Sequence, residues 1–318
     1  MATKLVSILG GTGFVGTHLV NRLRRAGIES RVLSRHPQRH RGLQAGGGVT
    51  LHKVDPKDEE QIHHALVGSD AVINLVGILN EGAHGADFRN VHVALPDRVV
   101  AAARRAGIRR LLHMSALNAN ESHGASAYLT SKGEAENRVH TLGKPAVKVT
   151  SFRPSVIFGP GDSFINRFDQ LLRKLPGPFP LACPHSRFAP VYVSDVVEAF
   201  LRALDDKRTW DQHYDLCGPE VYTLEALVRR IAAAAGISKP IIALGDGASR
   251  LQARVLGKMP GKPFSYDNYL SLQTDSICNS NGLERLGIEA TAIDSVLPYM
   301  LTPKASRRRY SELRRCIR

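Results

Sequence analysis

The segment Gly10-Gly-Thr-Gly13-Phe-Val-Gly16 constrains this chain more than any other stretch. It follows an apolar, β-type run, Leu5–Leu9, and opens a helix-type stretch, Gly16–Ala26. A strand that turns this sharply into a helix needs glycine for the turn. It needs glycine again where the helix packs on the strand, and where the backbone approaches a ligand. The free N–H groups and positive potential of the helix N-terminus then face that ligand, which must be anionic. The spacing is Gly-x-x-Gly-x-x-Gly, not Gly-x-Gly-x-x-Gly. The strand–turn–helix context is what points to a dinucleotide pyrophosphate.

The rest of the first half alternates in the same way. Strand-type runs at Ser30–Leu33, Val49–Val54, Ala71–Val76, Arg110–Met114 and Val147–Ile157 are separated by helix-type stretches at Glu59–Leu66, Pro96–Ala106 and Ser126–Leu142. This order predicts an α/β fold: a Rossmann-type, doubly wound parallel sheet with helices on both faces. A smaller, interleaved C-terminal lobe is expected to follow. The expected division is a dinucleotide-binding domain over 1–158 and a substrate or partner lobe over 159–318, with 188–218 returning to the sheet. A short strand at Pro190–Val193 leads into a helix that Ser194 or Asp195 is placed to cap. Leu175–Leu181 is Pro-rich and reads as a loop, and Pro260-Gly261 reads as a turn. With 43% hydrophobic and 23% charged residues the chain is neither disordered nor fibrous. No apolar run approaches the roughly 18–20 residues of a spanning helix. The early first strand leaves no room for a leader peptide, so a cytoplasmic location is expected.

The end of the second strand selects the dinucleotide. An NAD site usually carries a carboxylate there to hold the ribose hydroxyls. This chain has Ser34-Arg35-His36 instead, with Arg39 and Arg41 beyond. Ser34 and Arg35 suit a 2′-phosphate, so NADP(H) is favoured over NAD(H).

Several motifs stand in one order along nearly the whole chain. They are the glycine turn, Asp55 after the third strand, Asn74-Leu-Val76-Gly77 after the fourth, Tyr128-x-x-x-Lys132, and Arg153-Pro154-Ser155-Val156-Ile-Phe-Gly159. In this the chain resembles the short-chain dehydrogenase/reductase superfamily, in its extended or atypical branch. Gly159-Pro-Gly-Asp-Ser-Phe164, Val191-Tyr-Val-Ser-Asp-Val196, Leu251-Gln-Ala-Arg-Val-Leu256, Pro260-Gly-Lys-Pro-Phe264 and Leu272-Gln-Thr-Asp-Ser276 narrow the match. They resemble the family of the complex I alpha-subcomplex subunit nine and its bacterial and quinone-biosynthesis relatives. The resemblance implies a cofactor site made of Gly10, Thr12, Gly13, Phe14, Val15, Gly16, Ser34, Arg35, Asp55, Val76, Gly77, Lys132, Pro154, Ser155 and Val156. It also implies a catalytic set of Tyr128, Lys132 and Ser115, in which the lysine lowers the phenol's pKa for acid–base work on a carbonyl. In many extended members the serine lies one or two residues further on, where this chain has Ala116 and Leu117.

Two functions remain open on these residues. One is an NADP(H)-dependent oxidoreductase acting on a small carbonyl or quinone-like molecule. The other is a non-catalytic assembly or stability factor that holds NADP(H) structurally at a respiratory or quinone-biosynthesis complex. A nucleotide-sugar epimerase or dehydratase is a third.

Other signals point to partners or set them aside. The chain has 43 Lys and Arg against 29 Asp and Glu, a formal net charge of +14. Part of the excess lies in the tail from Lys304. Arg250, Arg254 and Lys258 recur at helical spacing beside Leu251, Val255 and Met259. Either that stripe packs into the lobe, or it meets an anionic membrane surface as an interfacial helix, peripheral to the inner membrane. The bases do not interleave with aromatics as a nucleic-acid platform requires, so no nucleic acid is expected. Thirteen histidines carry no metal-binding spacing, and no metal is expected. Cys183, Cys217, Cys278 and Cys316 form no CxxC pair, which suggests neither a zinc site nor a disulfide framework and reads as a reduced chain.

Overall fold

The alternating apolar runs close into one seven-stranded sheet, all of whose paired strands are parallel. The computed structural model describes residues 3–82, 87–259 and 262–301, so the Pro260-Gly261 turn and the basic tail from Lys304 lie outside it. The strands are β1 (Leu5–Leu9), β2 (Glu29–Ser34), β3 (Val49–Lys53), β4 (Ala71–Asn74), β5 (Arg110–Met114), β6 (Lys148–Pro154) and the edge strand Gln212–Leu216. Their spatial order is β3-β2-β1-β4-β5-β6, then the edge strand. The order reverses between β1 and β4, and a crevice opens there beyond the strands' carboxyl ends.

Each sheet face is buried by helices. On one side lie α1 (Phe14–Arg25) and α6 (Val193–Asp205), whose Leu19, Leu23, Val196 and Phe200 pack on Val6, Ile8 and Phe152. On the other lie α2 (Glu59–Leu66), α3 (Leu95–Arg105) and α4 (Ala127–Gly143), with Leu66, Val99 and Val139 against Val72, Leu111 and Val149. The strands are apolar on both faces because both faces are covered.

The later chain builds a second core. It comprises α5 (Ile165–Lys174), α7 (Leu224–Ala234) and helix Ile293–Leu301, packed around Phe158, Phe179 and Phe188. α8 (Asp246–Leu256) and α9 (Tyr266–Ser271) pack together beside it.

Several expectations need correction. The run expected as one strand over Val147–Ile157 breaks after Pro154, and Ile157–Phe158 pairs separately with Val191–Tyr192. Phe179–Leu181, inside the expected loop, pairs with Ile241–Ala243. Neither Ser194 nor Asp195 caps α6. The helix starts at Val193, and the Asp195 carboxylate accepts from the Thr291 N–H at 2.7 Å and its hydroxyl at 3.0 Å.

The cysteine reading also changes. Cys217, just past the edge strand, is bonded to Cys278 across 61 residues. Only the fold brings these two together, so no local spacing announces the pair. Leu117, Ala189 and Ile277 surround it. Closing a loop of that length stabilises a chain by about 4 kcal/mol in the chain-entropy picture. Peptide mapping without reductant should recover the Cys217–Cys278 crosslink, and reduction should lower the melting temperature. The pairing leaves two of the four cysteines to alkylate, so four alkylatable thiols in the denatured, unreduced protein would contradict it.

Candidate functional site

The glycine turn has the geometry its sequence demands. Gly10 adopts φ +79°, and a Cβ on Gly16 would collide with the Gly10 carbonyl oxygen. Helix α1 is capped by Gly13, with no side-chain hydrogen bond and no acidic residue in its first turn. The N–H groups of Phe14 and Val15 therefore head a helix whose positive end carries no internal anion.

The walls of the crevice come from strand ends. Ser34 closes β2 and its hydroxyl accepts from the His36 N–H at 3.2 Å, while Arg35 is exposed beside it. Asp55, exposed after β3, accepts from the Lys57 N–H at 2.9 Å. Past β4, the Val76 N–H donates to the Asn74 side chain at 3.1 Å, which shapes the Val76–Gly77 bend. Past β6, Pro154 and Ser155 are buried, and the Ser155 hydroxyl donates to the Ser276 carbonyl at 2.7 Å. Val156 accepts from the Val191 N–H at 3.0 Å. The structure thus brings the expected cofactor residues to one end of the sheet.

Tyr128 and Lys132 share one face of α4. The Ser126 hydroxyl caps this helix at Leu129 N–H, 3.2 Å. A carboxylate, that of Asp267 in α9, also accepts from the N–H groups of Ala127 and Tyr128 at 2.8 and 3.2 Å. Lys132 is buried, and its ammonium donates to the Met114 carbonyl at 2.6 Å. It also reaches the loop past β4, since a Cβ on Gly77 would stand 3.7 Å from Lys132 Nζ and 3.7 Å from His92 Nε2. The expected lowering of the tyrosine pKa is not found. Burial, with the charge of Asp267, pushes the Tyr128 phenol up to about 12. Burial pulls the Lys132 ammonium down to about 8, against the opposing pull of Glu136.

Ser115 is aimed elsewhere. Its hydroxyl donates to Glu136 Oε2 at 2.6 Å, beneath α4. Having given its proton to the carboxylate, it can offer a substrate only lone pairs. It is thus committed to the helix–sheet interface and not free as the donor that the resemblance implies. Ala116 and Leu117, the alternative positions, are apolar and buried.

Glu136 itself was not among the expected residues. It is 1% exposed and also takes Arg153 Nε at 2.9 Å and His213 Nδ1. Burial alone would raise its pKa. The hydrogen bonds from His213, Arg153 and Ser115 outweigh burial and hold the carboxyl down to about 2. Donor atoms of Glu136, His140 and His213 lie within 4.8 Å of one another, a grouping that the reading of scattered histidines did not anticipate. Arg153 already neutralises the carboxylate, and the two imidazoles stack at 4.2 Å with His140 Nε2 on the Ser151 hydroxyl at 3.0 Å. Those contacts describe an ion-pair and hydrogen-bond network. One signal was readable: Tyr128, Lys132, Glu136 and His140 recur every four residues along one helix face.

The lobe roofs this end of the sheet. Asn268 Nδ2 donates to the Leu79 carbonyl at 3.2 Å and Lys262 Nζ to the Glu81 carbonyl at 2.8 Å. Helix α8 buries Ser249 and Ala253 and turns Leu251 and Val255 outward, 63% and 56% exposed, and Met259, just past the helix, is 49% exposed. The stripe therefore does not pack into the lobe. Arg250 and Arg254 lie over the rings of Tyr269 and Tyr266. No helix among the described residues is long and apolar enough to cross a membrane.

Comparison with known proteins agrees with this geometry. The sequence profile of the NAD dependent epimerase/dehydratase family matches residues 6–217. The mitochondrial NADH dehydrogenase [ubiquinone] 1 alpha subcomplex subunit 9 of Mus musculus is 32% identical over 231 residues, which are 71% of this chain and 60% of the mouse protein. The match thus spans about three fifths of that relative. MoeE5 in complex with UDP-glucose and NAD superposes with a TM-score of 0.75 at 18% identity, over 96% of this chain and 99% of its own. The NADPH-dependent quinone oxidoreductase QOR2 of Escherichia coli, complexed with NADPH, does so with a TM-score of 0.75 at 18% identity, over 93% and 100%.

The lowered Lys132 pKa makes stability depend on pH. Below about 8 the lysine is charged in both states; between about 8 and 10.5 the folded protein has lost a proton that the unfolded chain still holds. Unfolding binds that proton, so this group makes stability rise with pH across the window. Denaturant unfolding of the wild type, compared with Lys132→Met, should show that rise only in the wild type. Identical slopes in the two proteins would contradict the burial of the ammonium.

Proposed function

We propose that this chain, which belongs to the NAD dependent epimerase/dehydratase family, is an NADP(H)-dependent oxidoreductase acting on a carbonyl or quinone-like molecule. What supports this reading is that the segment past β4 meets both parts: a Cβ on Gly10, in the turn before α1, would stand 3.0 Å from the Leu75 backbone, and a Cβ on Gly77 would stand 3.7 Å from Lys132 Nζ. The N–H groups past Gly13, with Thr12, Phe14 and Val15, would hold the pyrophosphate. Ser34 and Arg35 take the 2′-phosphate, and Asp55 borders the adenine side. Val76, Gly77, Pro154, Ser155 and Val156 border the nicotinamide, which supplies the hydride when bound.

Lys132 would hold the ribose. Tyr128 would donate a proton to the substrate oxygen. A phenol held near 12 is protonated at neutral pH, so it enters the reaction as a proton donor, the role that carbonyl reduction needs.

A second reading rests on Ser115. Its commitment to Glu136 leaves no serine hydroxyl to polarise a carbonyl, and this favours a protein that holds NADP(H) as a structural ligand. The relative named as a subunit of NADH dehydrogenase supports association with a respiratory complex. The exposed stripe of α8, flanked by Arg254 and Lys258, supports contact with an anionic membrane surface.

Three measurements test these readings. Calorimetric titration should give tighter binding of NADPH than NADH, and Arg35→Asp should cost about ten- to a hundred-fold in NADPH affinity. Equal affinities would remove the 2′-phosphate site. With a short-chain ubiquinone analogue as probe, the wild type should oxidise NADPH and Tyr128→Phe should not. Tight NADPH without turnover would favour the holding role, and turnover in Tyr128→Phe would exclude Tyr128 as the acid. The protein should co-sediment with anionic vesicles at low salt and less so after Leu251→Ser with Val255→Ser. Equal binding to neutral vesicles, or none at all, would contradict the membrane contact.

A further inference from the structure

The residue that no motif singled out is His92. It is 1% exposed and sits in a π-helical turn, Arg89–Ala94, directly before α3. Pro96 accounts for that turn. It has no N–H to give the carbonyl four residues earlier, which is that of His92, and its ring crowds the same carbonyl. The turn widens and carries the His92 side chain inward. The imidazole stacks on Phe88 at 5.3 Å and meets the Tyr128 ring edge-on at 5.5 Å.

Its hydrogen bonds leave one arrangement of protons. The Ile78 N–H donates to His92 Nε2 at 3.0 Å, so Nε2 carries a lone pair. The neutral ring then has its proton on Nδ1, which donates to Ser131 Oγ at 2.9 Å. The Ser131 hydroxyl proton goes to the Tyr128 carbonyl at 2.9 Å. Every proton in the chain Ile78–His92–Ser131–Tyr128 has one acceptor. A second proton on the ring would break the Ile78 contact. Burial, with Lys132 from α4 and His113 from β5 facing the ring, holds its pKa down to about 2.

We propose that His92 is a positioning residue: it latches the Gly77–Ile78 wall of the crevice to the α4 turn that carries Tyr128 and Lys132. One imidazole thus sets the spacing between the surface the nicotinamide packs on and the proton donor. The role of that wall rests on the function proposed above; the latch itself rests on the contacts just given.

The test uses the full chain. In uniformly 15N-labelled protein, long-range proton–nitrogen correlations should show His92 protonated at Nδ1 alone, unchanged from pH 5.5 to 8. The Nε2–H tautomer, or titration in that range, would overturn the latch, and this readout needs no variant. His92→Phe keeps the ring packing and removes both nitrogens. It should speed hydrogen exchange at the Ile78 amide and raise the NADPH dissociation constant, each by about tenfold. His92→Gln, which can accept from Ile78 and donate to Ser131, should recover most of both. A packing role alone predicts the reverse order, with Phe nearer the wild type than Gln. Wild-type exchange at Ile78 in His92→Phe would overturn the proposal. If the wild type binds no NADPH, the proposed function fails, while the tautomer and the Ile78 exchange still decide the latch.

Discussion

Glu136 is a charge sealed between α4 and the sheet, and the placement of the site follows from how that charge is satisfied. A buried carboxylate without partners would cost several kcal/mol, and breaking such a pair costs about 3–5 kcal/mol. Here its oxygens take Ser115 from β5's end, Arg153 from β6 and His213 from the edge strand. One side chain thus ties a helix to three adjacent strands. Because α4 cannot slide or rotate without stranding Glu136, Lys132 and Tyr128, one and two turns earlier, are fixed in place.

The same bond explains why the site is asymmetric. Satisfying Glu136 consumes the proton of the Ser115 hydroxyl, and Ser131, between Tyr128 and Lys132, gives its own to the Tyr128 carbonyl. What remains around the phenol is His92, Phe88 and the roof of α9, with Asp267 bonded to the helix start. A carboxylate at that position favours the protonated phenol. The glycine turn before α1 and the Tyr128–Lys132 face of α4 are therefore built on independent supports, the first on backbone alone and the second on a buried ionic network.

The parts of the structure that were legible in the sequence are those with local causes. The glycine turn reads directly, since Gly10 needs positive φ and Gly16 has no room for a Cβ. The strands read from their apolar runs, and the four-residue spacing of Tyr128 and Lys132 places both on one helix face. What was hidden depends on distant chain segments. The Ser115 hydroxyl looks free until Glu136, 21 residues on, is seen to accept from it. The Cys217–Cys278 bond joins segments 61 residues apart. Asp195 resembles a cap in sequence, yet it bonds Thr291, 96 residues away. His92 lies in a turn whose widening depends on Pro96, a signal present in the sequence but unreadable without knowing what lies inside.

The central claim is that a phosphorylated nicotinamide dinucleotide fills the crevice between the α1 turn and the α4 pair. Mass spectrometry of the small molecules released from the purified, full-length protein tests it most directly. The account predicts NADP(H), near one per chain. NAD(H) alone, or a nucleotide sugar in its place, would contradict it.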